Sequence, residues 1–318
     1  MANETSTFST GVRGSGGVNG GNLKENVGDG IYSISPEDTV FLNMCAKGKA
    51  DGIMQEWLED SDRAPAVNQR AEEWDGTRAA TTQPSRLSNY TQIFGESFGV
   101  TETMEVAAKY GRTSEIERLI KKHMRLLAKD IEYGLLNNTT TQAHASGTGG
   151  LLKGLKGWVT TNTYDFSSTY VNTNDLTEAK FVEMLQTCWT AGGSPQTVLA
   201  PAYVAQAINQ FDGQTKLSIN MDAEKKTIIN AVDYYRSSFG IVQVFLTRWL
   251  APYDDSGTYY DFCAILDKSK WQVDWLRKTK VERQAKTGLI TPVVMSAELT
   301  LEAHNESANA MISKISRV

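Results

Sequence analysis

From Glu59 to Ser88 the chain runs for thirty residues with only three large apolar side chains, Val67, Trp74 and Leu87. Ordering costs conformational entropy at every residue, and three side chains are too few to offset it. The flanks differ. Downstream, in NYTQIFGESFGVTETMEVAAKYG, residues Phe94, Phe98, Val100, Met104 and Val106 share one parity, with polar or small residues between them. Period two predicts a strand with one covered face. Upstream, ADGIMQEWLED places Ile53, Gln55 and Trp57 on one face of a second strand. Two strands around a polar tip predict a long β-hairpin arm, and an isolated hairpin is marginal in water. Its tip is therefore either ordered by another molecule or a solvated, mobile loop. Arg63, Arg70, Arg78 and Arg86, mixed with Glu59, Asp60, Asp62, Glu72, Glu73 and Asp75, suit salt-bridged docking on a neighbour.

The strongest helix signal follows at once. Ser114 and Glu117 form a capping-box pattern. Ile116, Leu119, Ile120, Met124, Leu127, Ile131 and Leu135 then recur at helical spacing until Asn137 and Asn138. About 22 residues give a spine of roughly 33 Å. Before the hairpin, Ser35-Pro36-Glu37-Asp38 reads as a helix start, with Val40, Phe41 and Met44 as a short stripe ended by Lys47-Gly48-Lys49. The Gly-, Ser- and Asn-rich first thirty residues read as a flexible arm.

Past an irregular Gly- and Thr-rich stretch at 147–170, helices and strands alternate. A helix opens at Asp175, with Glu178 at the third position, and the pair Gly192 and Gly193 ends it. QTVLAP is a short buried strand and AYVAQAINQF a helix. Two strands turn near Ser237–Gly240, and YYDFCAILD and WQVDWL are further strands. This alternation predicts a compact α/β subdomain. TPVVMSAELTLEAHNESANAMISKI, with Met295, Ala297, Leu299 and Leu301 alternating, predicts a long closing strand.

Chemistry-bearing patterns are sparse. His123, His144 and His304 belong to no metal-binding spacing. GTGGLLKG lacks the Lys-Ser/Thr ending of a phosphate loop, and no G-x-S-x-G elbow occurs. Asp254, Asp255 and Asp261 fit a solvated turn better than a calcium loop. Cys45, Cys188 and Cys263 read as reduced, buried thiols. Trp158, Trp189, Trp249, Trp271 and Trp275 read as core residues. No cofactor is expected. A net charge of −5 excludes a chain that is basic throughout and grips nucleic acid. The N-terminus has no basic or apolar region of a signal peptide, and no run reaches membrane-span length, so no membrane role is expected.

The element order, together with ISPEDTVFL, TQIF, AAKYGRTSEIERLIKKHMRLLAKDIEYGLLN and ELTLEAHNESANA, resembles the major capsid proteins of tailed phages. The Hong-Kong-type fold of that family is shared with encapsulin shells. The resemblance implies an α+β fold in five parts. Residues 1–34 would be an N-arm, 35–48 a short helix of the peripheral domain, and 49–105 an extended loop lying across an adjacent subunit. Residues 106–171 and 266–318 would form the peripheral domain, with its spine helix at 114–137, and 172–265 the axial domain. It further implies pentamers and hexamers of an icosahedral head around double-stranded DNA, assembled in the bacterial cytoplasm. Other copies of itself are the expected partners, with scaffold, portal and decoration proteins possible and weak, non-specific contact with DNA on the inner face. The alternatives are a non-viral encapsulin-like shell and an α/β hydrolase or ligand-binding protein with a hairpin lid. No catalytic residues follow from the resemblance.

Overall fold

The computed structural model describes residues 39–76, 83–107, 113–166, 176–211, 234–250, 253–255, 258–286 and 288–316. The expected arm over 1–34, the helix start at Ser35 and the side chain of Arg78 lie outside these residues. Helices and sheets form two layers, each with its own core.

The first layer is a four-stranded sheet in the order β1-β11-β12-β4, made of Ala46–Lys49, Trp271–Arg283, Ile290–Ala303 and Gln92–Thr101. Helix α3 (Glu115–Asn137) lies across it. Alternation along β12 sends Ala297, Leu299, Leu301 and Ala303 toward α3, where they pack with Leu127, Ile131, Leu135, Trp271 and Val273. Phe94 of β4 meets α3 at Gly134, where a β-carbon would stand 3.0 Å from the ring. The short helix α1 (Val40–Met44) buries Phe41 in the same core. Its Phe41 and Leu42 N–H groups donate to the buried Glu132 carboxylate of α3 at 2.7 and 2.8 Å. Burial pushes this carboxyl above its usual range, and the α1 amides oppose the shift.

The second layer has strand order β5-β13-β10-β6-β8-β7, with β9 paired to β10. These are Thr163–Asp165, Ala310–Ser316, Thr258–Leu266, Thr197–Ala200, Gly240–Leu246, Tyr234–Ser237 and Tyr253–Asp255. Helices α5 (Glu178–Thr190) and α6 (Ala202–Asn209) supply Phe181, Leu185, Cys188 and Val204 to its core. Thr177 caps α5 by accepting from the Lys180 N–H, two residues past the start read at Asp175, which lies outside the described residues. Gly192, at φ 83°, ends it.

Several sequence expectations change. Lys47-Gly48-Lys49 does not terminate a helix but pairs in parallel with β11. The alternating run at 89–106 is three elements: β3 (Ser85–Tyr90), β4, and the short helix α2 (Glu102–Val106). β4 pairs with β12 over ten residues, and Phe94 and Phe98 on its apolar face are covered by α3 within the protomer. WQVDWL is only the first part of a strand that continues through RKTKVER, because β12 pairs along its full length. The closing run breaks after Ala303, where Asn305 adopts left-handed φ (60°) and the chain crosses into the second sheet as β13. The second sheet thus takes β5 and β13 from outside 172–265. Trp189 is exposed, its ring tilted against Phe239 at 6.0 Å.

Candidate inter-subunit hairpin and its seam

Strands β2 (Met54–Glu59) and β3 form a two-stranded ribbon. Its register puts Met54, Glu56 and Leu58 opposite Tyr90, Ser88 and Arg86 on one face, and Gln55, Trp57 and Glu59 opposite Asn89, Leu87 and Ser85 on the other. The first face looks outward. Leu58 is 67% exposed, and the Arg86–Glu56 ion pair (3.3 Å) lies at the surface.

The second face is fastened to β12. Alternation that sends leucines toward α3 sends Glu298, Thr300 and Glu302 under the hairpin, where all three are buried. Gln55 Nε2 donates to Glu302 Oε1 (2.8 Å), Trp57 Nε1 to the Ala303 carbonyl (3.2 Å), and the Asn305 N–H to Glu59 Oε1 (2.6 Å). Trp57 also packs on Trp158, with ring centroids 5.3 Å apart. Buried Asn89 donates to the Lys153 and Leu301 carbonyls and accepts from the Lys153 N–H. Thr91 donates to Glu298, whose other oxygen accepts from Arg277. His144 completes this edge: Nδ1 accepts from the Gly150 N–H and Nε2 reaches the Thr91 carbonyl (2.8 Å). The Gly-rich loop that mimics a phosphate loop in sequence is thereby folded against β3 and β4.

One acidic pair sits in this seam. Asp274 of β11 accepts from Gln272 through Oδ1 (2.8 Å), and no hydrogen bond reaches its buried Oδ2 among the described residues. Burial pushes the Asp274 carboxyl up to about 6, and neighbouring Glu302 adds to the rise. Burial acts the same way on Glu302, but Asp274 beside it and its hydrogen bonds with His304 and Gln55 outweigh burial and hold Glu302 below the usual range. Of the two carboxyls, Asp274 is therefore the one whose protonated form the fold favours.

The tip beyond the seam differs: every residue from Asp60 to Gly76 is exposed. Arg70 stacks over Trp74 at 4.9 Å, with Trp74 itself 52% exposed. Arg63 reaches only the adjacent Ala64 carbonyl, and Glu72 and Glu73 stand in solvent. On the spine, Leu127, Ile131 and Leu135 are buried, while Ile116, Leu119 and Ile120 are half-buried. Met124 is a correction to the core stripe, at 45% exposure. At that level His123 occupies the face toward β4, stacked on Phe98 (4.5 Å) and 3.2 Å from Glu96, and Met124 is turned out. The capping box is also only half as expected. Ser114 Oγ accepts from the Glu117 N–H, but Glu105 of α2 accepts from the Ser114 hydroxyl and from the Glu115 and Ile116 amides. Sequence reasoning missed Glu105, Glu132, Asp274 and Glu302. The last two alternate with apolar neighbours, as a water-facing strand surface also would.

Cys45, Cys188 and Cys263 are free and buried, and burial pushes the Cys188 and Cys263 thiols up to about 12. Among the described residues, no group of three or more His, Cys, Asp or Glu side chains is placed to hold a metal, and no helix is long and apolar enough to cross a membrane.

Known proteins share this arrangement. The capsid chain of the native GTA particle superposes with a TM-score of 0.65 at 11% identity, covering 93% of this chain and 97% of that one. The chain from Mycobacterium phage Bobi gives 0.60 at 11%, covering 91% and 95%. The SrpI encapsulin of Synechococcus elongatus gives 0.56 at 11%, covering 93% and 92%. The fold is therefore the Hong-Kong-type α+β fold of phage capsids and encapsulins. The major capsid protein of Escherichia phage Phieco32 is 29% identical over 110 residues, 34% of this chain, and the match spans about a third (31%) of that relative's length. The family described as SU10 major capsid protein matches residues 2–316, and the chain belongs to it.

Proposed function

We propose that this chain is the shell-forming subunit of a tailed-phage head. Copies join as pentamers and hexamers and close into an icosahedral container for double-stranded DNA, assembled in the bacterial cytoplasm and retained in the virion. The observation that carries this reading is the hairpin: a base fastened by buried hydrogen bonds, and a charged tip exposed at every described residue. Such a tip is positioned, and its described residues are exposed, which suits repeated heterologous contacts between copies. Arg63, Arg70, Glu72, Glu73, Trp74, Arg78 and Arg86 are its contact residues on this reading. The role is structural, with no catalysis, and scaffold, portal and decoration proteins are further partners. A net charge of −5 suits a container whose inner face touches DNA weakly and without sequence preference.

The layer carrying α3 acts as the peripheral domain, and the second sheet with α5 and α6 as the axial domain at capsomer centres. Negative-stain microscopy of the expressed chain, alone and with its genomic neighbours, is expected to show shells or capsomers. Monomers under every assembly condition would overturn the reading. Deleting Asp62–Gln83 is expected to abolish particles while leaving helical circular dichroism nearly intact; normal particles from that variant would remove the hairpin from assembly.

A further inference from the structure

The two ends of the first sheet carry opposite charge. β2 runs in the direction of β12, with Gln55 at Glu302, Trp57 at Ala303 and Glu59 at Asn305. The tip therefore leaves the sheet at the Ala303 end. Its described residues include Asp60, Asp62, Glu72, Glu73 and Asp75 against Arg63 and Arg70. Three of those acids flank the exposed Trp74.

The opposite end belongs to the far half of β11. Trp271 pairs with Ala303, and Arg283 with Val293. β1 covers the outer edge of β11 only as far as Trp275. Among the described residues, 276–283 thus present an open strand edge of about 25 Å. That edge bears Arg277, Lys278, Lys280 and Arg283 against a single acid, Glu282. Arg277 is engaged by Glu298 and Lys280 by Glu282. Lys278 and Arg283 have no ion-pair partner among the described residues, and both are exposed.

We infer that the acidic tip segment Glu72–Asp75 of one copy docks on the basic open edge of β11, centred on Lys278 and Arg283, in the next copy. This rests on the reading of the hairpin as an assembly element and names the surface that receives it. Tip and edge lie at opposite ends of one sheet, so the contact joins copies head to tail, as ring closure requires. Trp74 supplies an aromatic anchor among the charges, and the charges supply orientation and encounter rate.

The test pairs charge reversals with a cross-link. Lys278→Glu with Arg283→Glu, and separately Glu72→Lys with Glu73→Lys, are each expected to raise the concentration needed for assembly about tenfold. All four together are expected to restore it. Glu73→Cys with Lys278→Cys, joined by a short bismaleimide, is expected to give a ladder of covalent multimers from assembled particles and none from dilute subunits, since the native cysteines are buried. The cross-link decides where a reversed variant fails to fold. Normal assembly by either reversed pair, or absence of the ladder from intact particles, overturns the docking. In the first case the basic residues only guard an open edge against strand pairing. If the Lys278/Arg283 variant assembles but loses encapsulated DNA, the edge serves nucleic acid and the docking is again overturned. Loss of particles on deleting Asp62–Gln83, with normal assembly of the reversed variants, would leave the assembly reading standing and remove only this receptor surface.

Discussion

Asp274→Asn isolates the raised carboxyl in the seam. Burial and Glu302 move the Asp274 carboxyl from 3.8 to about 6. A raised acid favours its protonated form in the fold. Its stabilising contribution is therefore complete below pH 3.8 and is lost as pH rises through about 6. At 1.36 kcal/mol per pH unit the loss is about 3 kcal/mol as an order of magnitude. Asparagine cannot ionise, keeps an acceptor for Gln272 and offers a donor to Glu302. The variant is therefore expected to match the parent near pH 4 and to exceed it by up to about 3 kcal/mol at pH 7.5. Urea unfolding of unassembled subunits at several pH values between 4 and 8 measures the difference between the two proteins, so other titrating groups cancel. Parallel stability curves would refute the raised Asp274 carboxyl, and a variant less stable than the parent at pH 7.5 would show that ionised Asp274 is better solvated than its burial implies.

Other expectations follow from the same packing. Glu132→Ala strands the Phe41 and Leu42 amides and should cost about 2–4 kcal/mol, with faster hydrogen exchange at both positions. Leu127→Asp buries an unpaired charge and should prevent soluble folding, whereas Met124→Asp should change the free energy of unfolding, measured by urea titration, by no more than about 0.5 kcal/mol; equal effects would mean that the spine has no sidedness at that level. Trp57→Ala removes the ring that packs on Trp158 and its bond to Ala303, and limited proteolysis within residues 60–76 and at the hairpin base should accelerate. Glu105→Ala removes the carboxylate that accepts from three groups at the start of α3 and should lower the melting temperature by an amount corresponding to about 1–2 kcal/mol.

Much of the architecture was legible from periodicity. The stripe through Leu127, Ile131 and Leu135 marked the helix and its buried half, and Met295 to Leu301 marked the strand that it covers. These signals are local: spacing of 3.6 or 2 decides which residues share a face, whatever lies opposite. The polar stretch after Glu59 was equally legible, because a segment without apolar residues has no means of making a core.

What lies opposite was decided only by the tertiary structure. The second face of β12 carries Glu298, Thr300 and Glu302, which in a strand ordinarily signal water, yet all three are buried beneath the hairpin base. Nothing within ten residues of Glu302 announces that Gln55, 247 positions away, will hydrogen-bond to it. The full length of β11 was hidden for a related reason, since RKTKVER becomes a strand only through pairing with β12. The break at Asn305 and the crossing into the second sheet depend on a left-handed residue whose neighbours are fixed by both layers. The sequence by itself determined the covered faces, the spine and an arm unable to make a core of its own. The tertiary structure decided which polar residues are buried, which carboxyl is raised, and that the acidic tip and the basic edge stand beyond opposite ends of β12, because each of these depends on strand register between distant segments and not on spacing within one.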